Sequence, residues 1–129
     1  DYEYYEFYSD TLGERMAMTG LQSRLKESGS SLDGVTEEAL VQLMHEEREA
    51  IGFENHYYDQ NRFDPSTLTE ASIDRFMEQY DALQGNLSTS AGRILNGEQL
   101  EMFRENQKTS RSMQEMGLGM MFNMFGGDN

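Results

Sequence analysis

Apolar and polar positions along this chain fall into four stretches with helical spacing. In the first, Tyr5, Tyr8, Leu12 and Met16 stand three and four residues apart, and Met18, Leu21 and Leu25 continue the stripe with a slight shift. Residues recurring at three and four share one face of an α-helix, so the pattern predicts a helix over 3–27. The turn-rich segment Ser28-Gly29-Ser30-Ser31, followed by Asp33-Gly34, ends it. A second stripe of Leu40, Leu43, Met44 and Ile51, edged by Ala50 and Phe53, predicts a helix over 37–56. The third is the cleanest: Ile73, Phe76, Met77, Tyr80, Leu83 and Leu87 form one face, extended by Ala91 and Ile94, over 70–93. The fourth runs over 97–125, on the order of 40 Å at 1.5 Å per residue.

A short phrase marks the starts of the last three. It reads Val35-Thr36-Glu37-Glu38-Ala39-Leu40, Leu68-Thr69-Glu70-Ala71-Ser72-Ile73 and Leu95-Asn96-Gly97-Glu98-Gln99-Leu100. Each copy sets an apolar residue before a capping residue and a second apolar residue after three mostly polar positions. That is the hydrophobic-staple pattern, with Thr36, Thr69 and Asn96 as expected N-caps and Gln99 completing a capping box. No strand-type alternation competes. The fold class is therefore all-α, one helical domain over 1–129 with about four helices. So few residues separate the third and fourth that they are expected to fold back as a long antiparallel hairpin.

Composition shifts this picture toward an open molecule. Only 36% of the 129 residues are hydrophobic, and part of that share lies in two dense clusters, one at each end. An elongated, self-associating helical protein, a homodimer, suits such a lean core. The net charge is −14, with 15 acids against 5 bases in residues 1–64 (net −10) and 9 against 5 in 65–129 (net −4). Such a surface repels phosphate backbones and anionic headgroups, so nucleic acid is not an expected partner. There is no cysteine, hence no disulfide, thiolate metal site or thiol nucleophile. No run approaches the roughly 18 apolar residues of a membrane span, which leaves a missing N-terminal anchor as the one expected link to a membrane. The start at Asp1, straight into an aromatic cluster, reads as a mature exported chain or one trimmed of a leader.

Candidate chemistry is sparse. His45, Glu49 and His56 fall at spacings of four and seven on one stripe of the expected second helix, and His45 with Glu49 is a plausible i, i+4 metal pair. The two histidines are about 16 Å apart along such a helix, too far to share an ion, so a closed zinc site needs ligands from elsewhere. The loop with Asp59, Asn61 and Asp64 lacks the central glycine and twelfth-position glutamate of a calcium loop and reads as a turn before the third helix. There is no Gly-rich phosphate loop and no nucleophile elbow, so neither an enzyme nor a cofactor is expected.

The two end clusters are the exception. Met113, Met116, Leu118, Met120, Met121, Phe122, Met124 and Phe125 leave the end of the last helix apolar nearly all round, and such a helix must be buried or meet a partner. Methionine suits an accommodating surface because it is flexible and polarizable. Tyr2, Tyr4, Tyr5, Phe7 and Tyr8 are more aromatics than one stripe can bury. Packing of this cluster on the Met-rich end, within one chain or between two, is the economical expectation. The other is a segment just outside a membrane anchor.

The junction Arg93-Ile94-Leu95-Asn96-Gly97-Glu98-Gln99 resembles the "helix end, then Leu-Thr-x-x-Gln" signature of periplasmic Spy/CpxP-like proteins, with Asn96 in the Thr position. Leu68-Thr69-Glu70-Ala71-Ser72 is similar to a second copy. The tail after Gln107 also resembles bacterial envelope proteins whose Gln-rich helix ends in a Met/Phe cluster. The resemblance implies a small exported all-α protein, periplasmic or envelope-associated, acting as an ATP-independent chaperone or stress adaptor on client or regulatory proteins. Two other functions are compatible with the residues themselves: an acidic inhibitor or immunity-type protein that occludes a basic partner, and a weak divalent-metal sensor using His45, Glu49 and His56.

Overall fold

The structure, a computed structural model, describes residues 2–57 and 63–125. Among these the chain forms five α-helices, one 3-10 turn and no strand, so the all-α class stands. The helices are α1 (Tyr2–Asp10), α2 (Leu12–Glu27), α3 (Gly34–Ile51), α4 (Glu70–Ala91) and α5 (Gly97–Phe125), with the turn at Pro65–Thr67 between α3 and α4. Of the acidic loop, Asp59 and Asn61 lie outside the described residues.

Where the spacing predicts one helix over 3–27, there are two, and the joint is Thr11. This residue is fully buried with φ −111° and ψ 20°. Its hydroxyl donates 2.7 Å back to the Phe7 carbonyl and accepts 3.0 Å from Arg15 Nε. A threonine hydroxyl that bonds back to the i−4 carbonyl loosens and bends a helix, and here it makes no capping bond to the start of α2. The slight shift in the first apolar stripe falls inside α2, between Met16 and Met18, which lie on opposite sides of that helix. Met18, Leu21 and Leu25 face the core, whereas Tyr5, Tyr8, Leu12 and Met16 face solvent.

The caps explain the remaining boundaries. Thr69 accepts from the Ser72 N–H, and Asn96 with Gln99 forms the reciprocal capping box, 2.8 and 3.1 Å. The cap expected at Thr36 lies three residues earlier. Asp33 accepts the Thr36 N–H at 2.7 Å, as the stronger capping residue of the two, and Val35 is carried onto the exposed surface instead of acting as a staple. Nor does this helix run to 56: Gly52, at φ 63°, adopts the left-handed conformation that closes α3.

Packing follows a ring: α2 on α3, α3 on α4, α4 on α5, and α5 back on α2. Residue pairs set the directions. Arg104–Ser88, Gln107–Gln84 and Arg111–Asp81 climb one helix while descending the other. The α2–α3 link is pinned by Gln22, whose amide both donates to and accepts from the Leu32 backbone at 3.1 and 3.0 Å. Below it, Gln99 donates to the Ser30 carbonyl, and the Ser30 hydroxyl donates to Glu98, tying the start of α5 to the same link. Phe76 on α4 is the hub of the core, with Phe53 and Tyr57 rings each 5.1 Å from its own.

Two outcomes follow for stability. Phe76→Ala, at a site 1% exposed, lowers the unfolding free energy by about 3–5 kcal/mol in a urea titration. The Asp33 carboxyl is held below the ordinary aspartate range, mainly by the Thr36 N–H and then by the Thr36 side chain. A depressed folded-state pKa gives stability that is present above the unfolded pKa and lost as pH falls through the folded one. Asp33→Asn keeps a cap without a titrating group, so the advantage of the parent chain over it in thermal melts shrinks as pH drops below about 4.

Candidate interaction surface

The expected metal residues do not assemble. His45 is half-buried, and its Nδ1 lies 3.1 Å from Arg48 Nη2. Arginine can only donate, so Nδ1 is the acceptor in this contact. Phe7 packs edge-on against the same ring at 5.5 Å. Glu49 is exposed one turn away, and His56 has left the stripe because Gly52 ends the helix before it. Among the described residues no three His, Asp, Glu or Cys side chains are grouped to hold an ion.

His45 belongs instead to a polar junction that fixes α1 and the start of α2 against α3. Arg48 Nη2 also donates 2.8 Å to the Asp10 carbonyl, and Nε stands 2.9 Å from Glu14 Oε2, both side chains being largely buried. The other Glu14 oxygen has no hydrogen-bond partner among the described residues. Beside Glu14 on α2, Arg15 pairs with Glu38 at 2.6 Å while its guanidinium lies 4.6 Å above the Tyr8 ring. The hydrogen bond to Glu38 raises the Arg15 pKa further, so this charge is permanent.

Leaning on α3, these segments leave part of α5 uncovered. Met102, Asn106, Thr109, Met113, Met116, Met120 and Met124 recur at four and three and form one seam of α5. Its lower part meets α2, where Arg24 donates to Thr109 and Asn106 lies against Gly20. Above Thr109 the seam goes on, but Gly13 of α2 has nothing within 4 Å of its Cβ position and the methionines stand in solvent. Of the eight residues expected to bind a partner, Met113, Met116, Met120, Met124 and Phe125 are exposed. Met121 and Phe122 are half-buried, and Leu118 is fully buried as part of the core.

A second exposed stripe, Tyr5, Tyr8, Leu12 and Met16, belongs to α1 and α2, and Met113, Met116, Met120 and Met124 belong to α5. These eight side chains are between 45% and 76% exposed. Only Phe7 of the N-terminal aromatics packs inward, so the tyrosines do not cover the methionines within one chain. The sequence reading places the methionines on this surface and misses Leu12 and Met16. Their offset from Met18, Leu21 and Leu25 was the available signal.

Inside the ring, a cavity of about 80 Å³ is lined by Met18, Leu21, Met44 and Phe103 and by the amides Gln84 and Gln107. That is room for two or three waters, at about 30 Å³ each, and far below the roughly 300 Å³ of a small-molecule site. Nearby, burial raises the Tyr80 pKa, with Asp81 adding to the effect and Arg111 opposing it.

The Arg48 junction gives a direct test. Arg48→Ala strands the Glu14 carboxylate and lowers stability by about 2–4 kcal/mol in a urea titration, while Arg48→Lys recovers only part, because an ammonium cannot reach Asp10, His45 and Glu14 together. Comparison of the chain with protein-family models, with curated proteins and with solved structures finds no match.

Proposed function

We propose that this is a non-catalytic, exported helical protein whose work is to bind other proteins, as a chaperone-like holdase or an envelope-stress adaptor. It acts as an elongated homodimer in which α4 and α5 form a long hairpin. The observation that carries this reading is the uncovered methionine seam of α5, with the exposed tyrosine-bearing stripe of α1 and α2 as a second apolar surface. A chain of 14.9 kDa folded as a typical monomer exposes about 7,000 Å², and this one exposes 8074 Å². Flexible thioethers beside amphipathic tyrosines accommodate partners of many shapes, which is what a holdase or adaptor needs. Placement in the envelope rests on the resemblance of Leu95–Gln99 to the Leu-Thr-x-x-Gln signature.

A second reading is favoured by charge: Arg15, Arg48, Arg75, Lys108 and Arg111 are already engaged in ion pairs, and the chain keeps a net −14. An acidic protein that occludes a cationic partner fits that balance, and its association would weaken steeply with salt. The leading reading predicts that the protein at equimolar ratio slows light scattering by a denatured, aggregating client, in low and moderate salt alike. Unchanged aggregation overturns the holdase form of the proposal.

A further inference from the structure

We infer that the methionine seam of α5 is a binding site for Cu(I), held by the thioethers of Met116 and Met120 with Met113 or Met124 as third ligand. The site stands apart from the client-binding function, since it needs no partner and no second helix. Geometry is the first argument. At about 100° per residue, Met113, Met116, Met120 and Met124 fall within an arc of about 80° on one side of α5. Helical residues three and four apart stand about 5–6 Å from each other at Cβ, and the three rotatable bonds of methionine let two sulfurs converge across that gap. All four side chains are more than half exposed, and Gly117, between the central pair, has nothing within 4 Å of its Cβ position. An ion reaches the sulfurs without displacing another side chain.

Ligand chemistry is the second. A thioether is a soft, uncharged donor that selects Cu(I) over the harder divalent ions, which prefer imidazole, carboxylate and water. The chain has no cysteine to compete for a soft ion. From Ser112 to Phe125 it carries a single carboxylate, Glu115, which is turned to the side where Arg111 meets Asp81 rather than to the seam. The choice of residue is the third argument. Among the described residues the buried core holds nine leucines and two methionines, whereas this seam is methionine at all four positions. Leucine has nearly the same volume and would serve an apolar surface equally well. What the four positions share, and leucine lacks, is sulfur. The net charge of −14 adds a general attraction for any cation.

The full chain, labelled with ¹³C at the methionine methyls, is titrated with silver nitrate in chloride-free buffer, Ag(I) being the air-stable analogue of Cu(I). One ion per chain is expected, with a Kd of about 1 µM or below. The methyls of the exposed seam shift, while those of the buried Met18 and Met77 stay in place. Under ascorbate and nitrogen, the chain also withdraws Cu(I) from a coloured chelator, and zinc at the same concentration moves none of these methyls. Met116→Leu with Met120→Leu leaves Met113 and Met124 about 16 Å apart along the axis, too far to share an ion, and Met121 is packed against the core. This variant weakens uptake by at least about 100-fold, more than the loss of an outer-shell partner costs, with circular dichroism and melting curve unchanged. No uptake at roughly 100 µM silver overturns the inference, as does binding indifferent to the two leucines. Shifts confined to the His45 and His56 rings move the ion to imidazole and overturn it as well, and silver uptake without withdrawal of Cu(I) defeats the assignment to copper. Client protection by the metal-free chain bears on the binding function alone.

Discussion

Arg48 decides which neighbour the N-terminal helices lean on. Its guanidinium reaches the Asp10 carbonyl, the His45 ring and the Glu14 carboxylate at once, and all three lie on the α3 side of the α1–α2 joint. Buried charges must be paired, so this junction holds α1 and the start of α2 in one position. The cost is borne on the opposite side, where α5 loses the cover that α2 gives it lower down. The uncovered methionine seam is therefore a consequence of an ionic contact on another helix, not of excess hydrophobicity alone.

Much of the fold is legible in the sequence because local rules decide it. The starts of α4 and α5 follow from Thr69 and from the Asn96–Gln99 pair, whose side chains satisfy the free N–H groups next to them. Local rules also explain the miss at Thr36, since Asp33 competes for the same N–H and wins. What sequence alone does not yield is which of two legitimate stripes faces inward. Tyr5, Tyr8, Leu12 and Met16 have perfect helical spacing, yet the core takes Met18, Leu21 and Leu25, because Leu12 and Met16 lie on the opposite side of the same helix α2. The fate of His45 was equally hidden. Its partner Arg48 is three residues away in plain view, but the Phe7 ring that completes its surroundings comes from a distant segment.

Acidity and apolar surface divide the molecule between them. Acidic side chains crowd the first half, and the basic residues among the described ones mostly stitch helices together, as Arg111 does with Asp81 and Arg15 with Glu38. Charge of one sign keeps such a chain from associating at random. The stretch of α5 from Met113 to Phe125 carries one charged residue, Glu115, and adds little to that repulsion.

The Thr11 joint has a kinetic consequence. α1 contains no buried residue and is attached through the half-buried Phe7 ring and a few polar bonds, while the helices after the joint share a continuous core. A segment with so little apolar burial opens by itself at a fraction of the global unfolding free energy. Its amides therefore exchange with solvent deuterons well ahead of those in α2 or α4, and each opening frees α1 while the ring of the four later helices stays closed.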